Sequence, residues 1–430
     1  MCSSTLEKRS RSLRPLFFMV CMGLAGVLIA WPYLFTWLEC RQIRRLLANS
    51  EVPTALKKSQ RLAANHPDCA ECQFLLAKSA RRSADFSAAA TALELARAAG
   101  WDSTKIHLEQ ILATAQSGQV RSVEGELKRI FQMDLEEAEI GEIYEALAYG
   151  HLAAFDAPEF LKSLDYWLDW RPDAVKPRLL RADFFSRIQK YSAAVDEYKA
   201  LLLIAPDCVE ARTNLGENLL QLNLAKEAAE QLQISYADQP SDRVALLLAK
   251  CLIQLDGAEK AKALLLEFRN SPNIAVQSQI LEELGRWYSD CDDPETAVGY
   301  LEETVRLAPE STSAWHTLST VYSMLGRSDD AERAQNVSHT TQQRCQRLFN
   351  VITQLSANPE SIQLRLEAAS ILFEQKMDKD AVAWLRTILS IDLNHPEANR
   401  MLAIHYRKSG REDLAAEHVK LGKLDPVLSK

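Results

Sequence analysis

Residues 308–334 read APESTSAWHTLSTVYSMLGRSDDAERA. Trp315, Leu318 and Tyr322 fall on one face at helical spacing, Gly326 interrupts the run, and Ala331 and Ala334 begin a second helical pattern behind it. A helix of large apolar residues, a glycine turn and a helix of small residues make a hairpin whose arms approach closely at the small positions. The same spacing returns twice. Leu402, Ala403, Tyr406, Gly410 and Ala415 follow Pro396, and Leu215, Gly216, Ala228 and Leu232 follow Pro206. Pro172, Pro206 and Pro240 stand 34 residues apart. Each ends a second helix, because proline lacks the N–H and clashes with the preceding turn. A period of this length marks stacked two-helix units that bury their cores against neighbours.

The register extends both ways. Upstream, Leu76, Ala77, Phe86 and Ala89 follow Pro67, and Trp101 stands 34 residues later; the units from there to Pro172 are degenerate but in phase. Downstream, Leu284, Gly285, Tyr288 and Ala297 lead to Pro309, and Ala381 and Leu385 lead to Leu393. These residues resemble the tetratricopeptide repeat (TPR), with its Trp, Leu, Tyr, turn Gly and small Ala. The resemblance implies an all-α fold, a right-handed solenoid of about eleven helix-turn-helix units over residues 40–430. No alternating apolar run bounded by turn dipeptides suggests sheet.

Ahead of the repeats lie a short basic tail, 1–15, and the segment 16–38, LFFMVCMGLAGVLIAWPYLFTWL, 23 residues without a charge. That length spans a bilayer core, and Trp31, Tyr33 and Trp37 cluster at one end as an interfacial belt would. The expectation is a single-pass transmembrane helix, similar to the anchors of membrane-bound bacterial TPR proteins. Lys8, Arg9, Arg11 and Arg14 precede the segment and Arg41, Arg44 and Arg45 follow it, so the basic residues do not decide the orientation. A cytoplasmic N-terminus with an extracytoplasmic solenoid is the favoured topology.

Residues 1–38 carry +3 (four cations and Glu7), which leaves −11 on the rest of a chain whose net charge is −8. An acidic solenoid is a poor ligand for phosphate backbones, so nucleic acid is not an expected partner. No HExxH, GxSxG, phosphate-binding loop or dinucleotide fingerprint is present, and the expectation is neither an enzyme nor a cofactor protein. The sequence HPDCAEC places His66, Cys69 and Cys72 together. A zinc site needs a fourth ligand, none of which is evident, and Cys69 and Cys208 occupy the same repeat position, two residues after Pro67 and Pro206. The expected role of these cysteines is that of small buried residues, with metal or redox chemistry as the lesser alternative.

In TPR proteins the first helices of successive units line a concave groove. Carrying those positions over gives Leu179, Asp183 and Arg187, then Thr213, Glu217 and Gln221, then Glu282, Arg286 and Asp290, then His316, Thr320 and Met324. Asp183, Arg187, Glu217, Gln221, Glu282, Arg286, His316 and Thr320 are the candidate groove residues for a protein or peptide ligand. The carboxylate clamp of chaperone-binding members would fall on Leu179, Asp183 and Asn214, which depart from it. One interruption stands out. From Asp329 to Ala357 there is neither Gly nor Pro, and Ala331, Ala334, Ser338, Thr341, Cys345, Leu348, Ile352 and Leu355 step by threes and fours. Either one long helix projects there or an extra helix follows; packing within the chain and a homodimer are both open. The reading as a whole is a membrane-anchored TPR scaffold, with a non-catalytic regulatory subunit of an enzyme, for example of a glycosyltransferase-type system, as the alternative.

Overall fold

The structure, a computed structural model, describes residues 34–131, 135–358 and 360–423. Among these it holds 22 helices and no strand, the number that eleven two-helix units require. They fall into two compact units, Met1–Ala154 and Phe155–Lys430. The first contains α1 (34–48), α2 (Val52–Asn65), α3 (Ala70–Arg82), α4 (Phe86–Ala98), α5 (Ser103–Gln116), α6 (Val120–Ile130) and α7 (Glu137–Ala153). The second contains α8 (Ala157–Trp170), α9 (Val175–Arg187), α10 (Tyr191–Ile204), α11 (Val209–Gln221), α12 (Ala225–Asp238), α13 (Asp242–Gln254) and α14 (Ala258–Glu267). It continues with α15 (Ile274–Asp290), α16 (Pro294–Leu307), α17 (Thr312–Met324), α18 (Ser328–Ala357), α19 (Ile362–Glu374), α20 (Asp378–Ile391), α21 (Pro396–Lys408) and α22 (Glu412–Leu421).

Local sequence explains the boundaries. Asp85, Asp102, Asp156, Ser241, Asp293, Ser311 and Ser361 each accept a backbone N–H at the start of a helix, and such caps stabilise by about 1 kcal/mol each. The turn inside the hairpins needs one left-handed residue. Glycine supplies it at 326 and 410, whereas Gln189, Asn223, Asp292 and Lys376 take φ near 60° in the same repeat position.

Packing follows from the small positions. A Cβ on Gly216 would lie 2.5 Å from Leu232 Cγ, and one on Gly285 would lie 2.6 Å from Leu301 Cγ. In both hairpins the second helix therefore rests directly on the backbone of the first. Leu215, Leu219, Ala228 and Leu232 join Tyr198, Leu201, Val244 and Leu247 in a core that runs from α9 to α13. Burying each such leucine contributes about 1.5–3 kcal/mol. First helices of successive hairpins also touch one another from α9 to α17, which creates a face made of first helices alone.

The membrane expectation is corrected. No helix among the described residues is long and apolar enough to cross a membrane, so a single-pass topology with an extracytoplasmic solenoid is not supported. Residues 1–33, which hold the basic tail and most of the segment 16–38, lie outside the described residues. The remainder of that segment opens α1. Further along this helix Cys40, Ile43 and Leu47 are buried against Ala55, Leu62, Cys72 and Leu75, so α1 is a packed member of the first unit.

Residues 328–357 form one helix of 30 residues, against 14 in α16 and in α20. The stripe of threes and fours is not a single buried seam. Ala331 and Ala334 join the core of α16 and α17, and Val351 and Leu355 join that of α19 and α20. Cys345 and Ile352 are exposed. At 100° per residue the buried stripe moves roughly 100° around the axis between Ala331/Ala334/Ser338 and Leu348/Val351/Leu355. Two separate cores thus share one helix. Within the same unit Phe155 stacks on Trp384, ring centroids 3.7 Å apart and planes 13° from parallel. The neighbouring Arg365 is buried, which lowers its pKa against the opposing pull of Asp156 and Glu360.

Candidate functional site

The first-helix face of the unit Phe155–Lys430 carries a chain of polar contacts that passes from helix to helix. Asp183 on α9 accepts from the Tyr198 hydroxyl and from Asn214 Nδ2 of α11, the latter at 3.1 Å. Asn214 Oδ1 in turn accepts from Arg243 at the start of α13 at 2.8 Å, and the same guanidinium pairs with Glu217. Burial, then the bond to Asp183, pushes the Tyr198 hydroxyl above its ordinary pKa, so it stays a donor. Farther along, Lys250 of α13 lies 3.3 Å from Gln279 and 3.8 Å from Glu283 of α15. Arg286 bridges Glu282 at 3.0 Å and Glu283 at 3.2 Å, and Glu282 accepts from Ser311 and Ser313 at the start of α17.

Of the sequence-derived candidates, Asp183, Glu217, Glu282 and Arg286 thus share this ladder. Arg187 and Gln221 are exposed on the last turns of α9 and α11. His316 and Thr320 are exposed on α17, where the Thr320 hydroxyl donates to the His316 carbonyl. The ladder meets α17 at Ser311 and Ser313 instead. Thr213 is buried, its hydroxyl turned to Val209 O, and Leu179 packs on the core. Arg243 and Lys250 were not among the candidates, yet they supply the cations that join one first helix to the next.

The unit Met1–Ala154 holds a second polar cluster, in the stretch whose repeats are degenerate. Arg81 of α3 is fully buried and pairs with Glu109 of α5, itself 2% exposed, with Gln116 at 2.9 Å, and with Glu142 of α7 at 3.5 Å. Lys78 pairs with Glu142 at 2.8 Å and Arg82 with Glu145 at 3.3 Å. Three cations thus face three carboxylates. Burial alone would lower the Arg81 guanidinium, but Glu109 and Glu142 outweigh it and hold it above its ordinary value. Burial likewise would raise Glu142, and Lys78 and Arg81 outweigh it and hold the carboxyl below the usual range.

The cysteines differ from the expectation of small buried residues. Cys69 caps α3, as Cys208 caps α11, but Cys69 and Cys72 are bonded to each other with Cα atoms 5.2 Å apart. Cys40 Sγ lies 3.9 Å from Cys72 Sγ. Among the described residues no group of three His, Cys, Asp or Glu side chains is placed to hold a metal ion.

Comparison with known proteins places this architecture. Residues 40–104 and 179–243 match the family described as tetratricopeptide repeat. Anaphase-promoting complex subunit 7 of Homo sapiens is 30% identical over 121 residues, 28% of this chain and 19% of that protein. The Mus musculus protein is 31% identical over a stretch of the same length, so the chain spans 19% of the length of these curated relatives. Among solved structures, MamA from residue 41 to its end, from Desulfovibrio magneticus RS-1, shows 19% identity and a TM-score of 0.36, covering 40% of this chain and 96% of that one. YrrB, a TPR protein with an unusual peptide-binding site, shows 13% identity and a TM-score of 0.33, covering 42% and 92%. The chain is a tetratricopeptide repeat protein.

Proposed function

We propose that this chain is a non-catalytic scaffold that binds a protein or peptide segment along the first-helix face of the unit Phe155–Lys430. The observation that carries the reading is the polar ladder from Asp183 through Asn214 and Arg243 to Glu217, continued by Lys250, Glu283, Arg286 and Glu282. Its cations are 31% to 45% exposed at the side chain. Ion pairs of that exposure contribute only about 0.2–1 kcal/mol. An incoming segment with its own carboxylates and amines can therefore exchange them at little cost, and the alternation of signs along the face sets its register. The occupant is a segment of mixed charge rather than a purely apolar one.

The test is peptide display against the immobilised full-length chain, with Arg243→Glu and Arg286→Glu as comparison surfaces. The wild type should enrich a consensus with charged positions, and either reversal should weaken the selected peptides roughly tenfold, 1.4 kcal/mol, without changing helicity. Peptides that bind the wild type and both variants equally would remove the face from consideration.

A further inference from the structure

Three sulfur atoms meet where α1 crosses the start of α3. Cys69 is half-buried at the N-cap of α3, and its Sγ accepts the backbone N–H of Cys72 at 3.2 Å. Cys72 is fully buried one turn on, and Cys40 of α1 is 1% exposed with its Sγ 3.9 Å from that of Cys72. The same two helices are joined by Arg44 and Glu71 at 2.8 Å, and His66 Nε2 lies 3.4 Å from Thr36 Oγ1, one turn before Cys40. The sulfurs are thus graded from accessible to enclosed. A cysteine at a helix N-terminus that accepts a backbone N–H is the one whose thiolate is favoured.

We propose that Cys40, Cys69 and Cys72 form a thiol–disulfide exchange site in which the bond between Cys69 and Cys72 migrates inward to join Cys40 and Cys72. In the reduced protein the Cys69 thiolate attacks an external disulfide, low-molecular-weight or on a protein, and one external thiolate leaves. Cys72, giving its proton to solvent, then displaces the second external thiolate and closes the Cys69–Cys72 bond; the external disulfide has been reduced to two thiols. In the migration step Cys40 loses its proton to solvent, its sulfur bonds to Cys72, and Cys69 leaves as a thiolate that takes up a proton. No electrons are gained or lost in that second exchange. Burial, then Glu71, pushes the Cys40 thiol up to about 11, with Glu39 adding and Arg44 opposing, so the inner sulfur waits for the outer pair to form first. The outcome changes what is tied together. A bond between Cys69 and Cys72 closes a loop of 3 positions within one helix start, whereas a bond between Cys40 and Cys72 spans 32 positions and fastens α1 to α3.

The experiment uses the full-length chain in a series of reduced to oxidised glutathione ratios, followed by acid quench, alkylation with N-ethylmaleimide and peptide mapping by mass spectrometry. The wild type should show Cys69 bonded to Cys72, with Cys40 alkylated only after denaturation. Cys69→Ser retains a good N-cap and should form the Cys40–Cys72 bond under oxidising conditions, slowing hydrogen exchange in residues 34–48 at least tenfold relative to the reduced variant. Cys40→Ser should keep the outer bond and show no slowing. A Cys69→Ser protein that is folded by exchange across α3 but keeps both thiols free in oxidised glutathione would overturn the proposal. The wild type gives an independent arm. At about pH 9, where thiolates are more abundant, molecules with the Cys40–Cys72 bond and Cys69 alkylated should be trapped, and their absence overturns the migration. Retention of one equivalent of zinc by the reduced protein, with no disulfide at any ratio, would replace exchange with metal binding.

Discussion

Replacing Arg81 with methionine should open the unit Met1–Ala154 more than any surface change in it. The guanidinium is fully buried and meets Glu109, Gln116 and Glu142. Methionine preserves much of the stem but leaves the Glu109 carboxylate, on a residue 2% exposed, without its counter-ion. Removing one partner of a buried pair costs about 3–5 kcal/mol, because a desolvated charge is left behind. The same energy appears as an increase of about two to four orders of magnitude in the opening constant. A repeat array does not unfold in a single step, so the assay is native-state hydrogen exchange of the full-length chain, resolved by mass spectrometry into peptides from α3 to α7. The second variant, Arg81→Met with Glu109→Met, removes both charges and should recover most of the loss, since apolar replacements of buried pairs are often neutral or stabilising. Glu109→Gln alone should cost less than Arg81→Met, because Glu142 remains to neutralise Arg81. If Arg81→Met raises the opening constant less than tenfold, or if the double variant is worse than the single one, the cluster is solvated and the reasoning fails.

Three further outcomes are expected. Glu142 has a folded pKa below its unfolded value of 4.5, so its contribution to stability is fully present above that value and is lost as pH falls through the lower, folded one; acid titration followed by exchange in α3 and α7 should show this, and Glu142→Gln should flatten the profile. Gly216→Ala places a Cβ against Leu232 and should destabilise by about 1–3 kcal/mol, with Leu232→Ala in the same chain relieving the clash; an unchanged exchange rate in α11 and α12 would mean that the hairpin has room. In α18, deleting residues 340–346 removes two turns and rotates the C-terminal half of the helix by only about 20°, whereas deleting 340–344 rotates it by about 140°; protection across α19 and α20 should survive the first and collapse in the second.

The repeat was legible because a hairpin with touching backbones admits few residues at the contact. Gly216 against Leu232 and Gly285 against Leu301 are the positions that the spacing pointed to. The groove was only half legible. Asp183, Glu217, Glu282 and Arg286 stood out on the first helices, but Arg243 and Lys250 lie in a unit, DRVALLLAKCLIQ, without the aromatic and glycine signature that would place its groove positions. The Arg81 cluster was hidden for a related reason. Its carboxylates sit on helices whose repeats are degenerate, although Lys78 with Arg81 and Glu142 with Glu145 share a spacing of three that puts complementary charges on facing helices. Cys40 adjoins the apolar segment 16–38, and its contact with Cys72 spans 32 positions that no local pattern records. The stretch 16–38 misled because length and apolarity alone suggested a span, while the helix that begins at its end is buried in the first unit.

The stack of Phe155 on Trp384 alters how its unit should melt. Repeat proteins behave as one-dimensional chains of nearest-neighbour couplings, so they fray from either terminus independently. A bond between positions 229 apart (384 minus 155) adds a coupling that skips the intervening hairpins and turns that stretch of the chain into a ring. An aromatic pair contributes only about 0.5–1.5 kcal/mol beyond its area, and closing a flexible loop of this length costs several times more. The ring can therefore shut only after the hairpins between its ends are rigid, which makes this contact of high sequence separation the last to form on folding and the first to part under load.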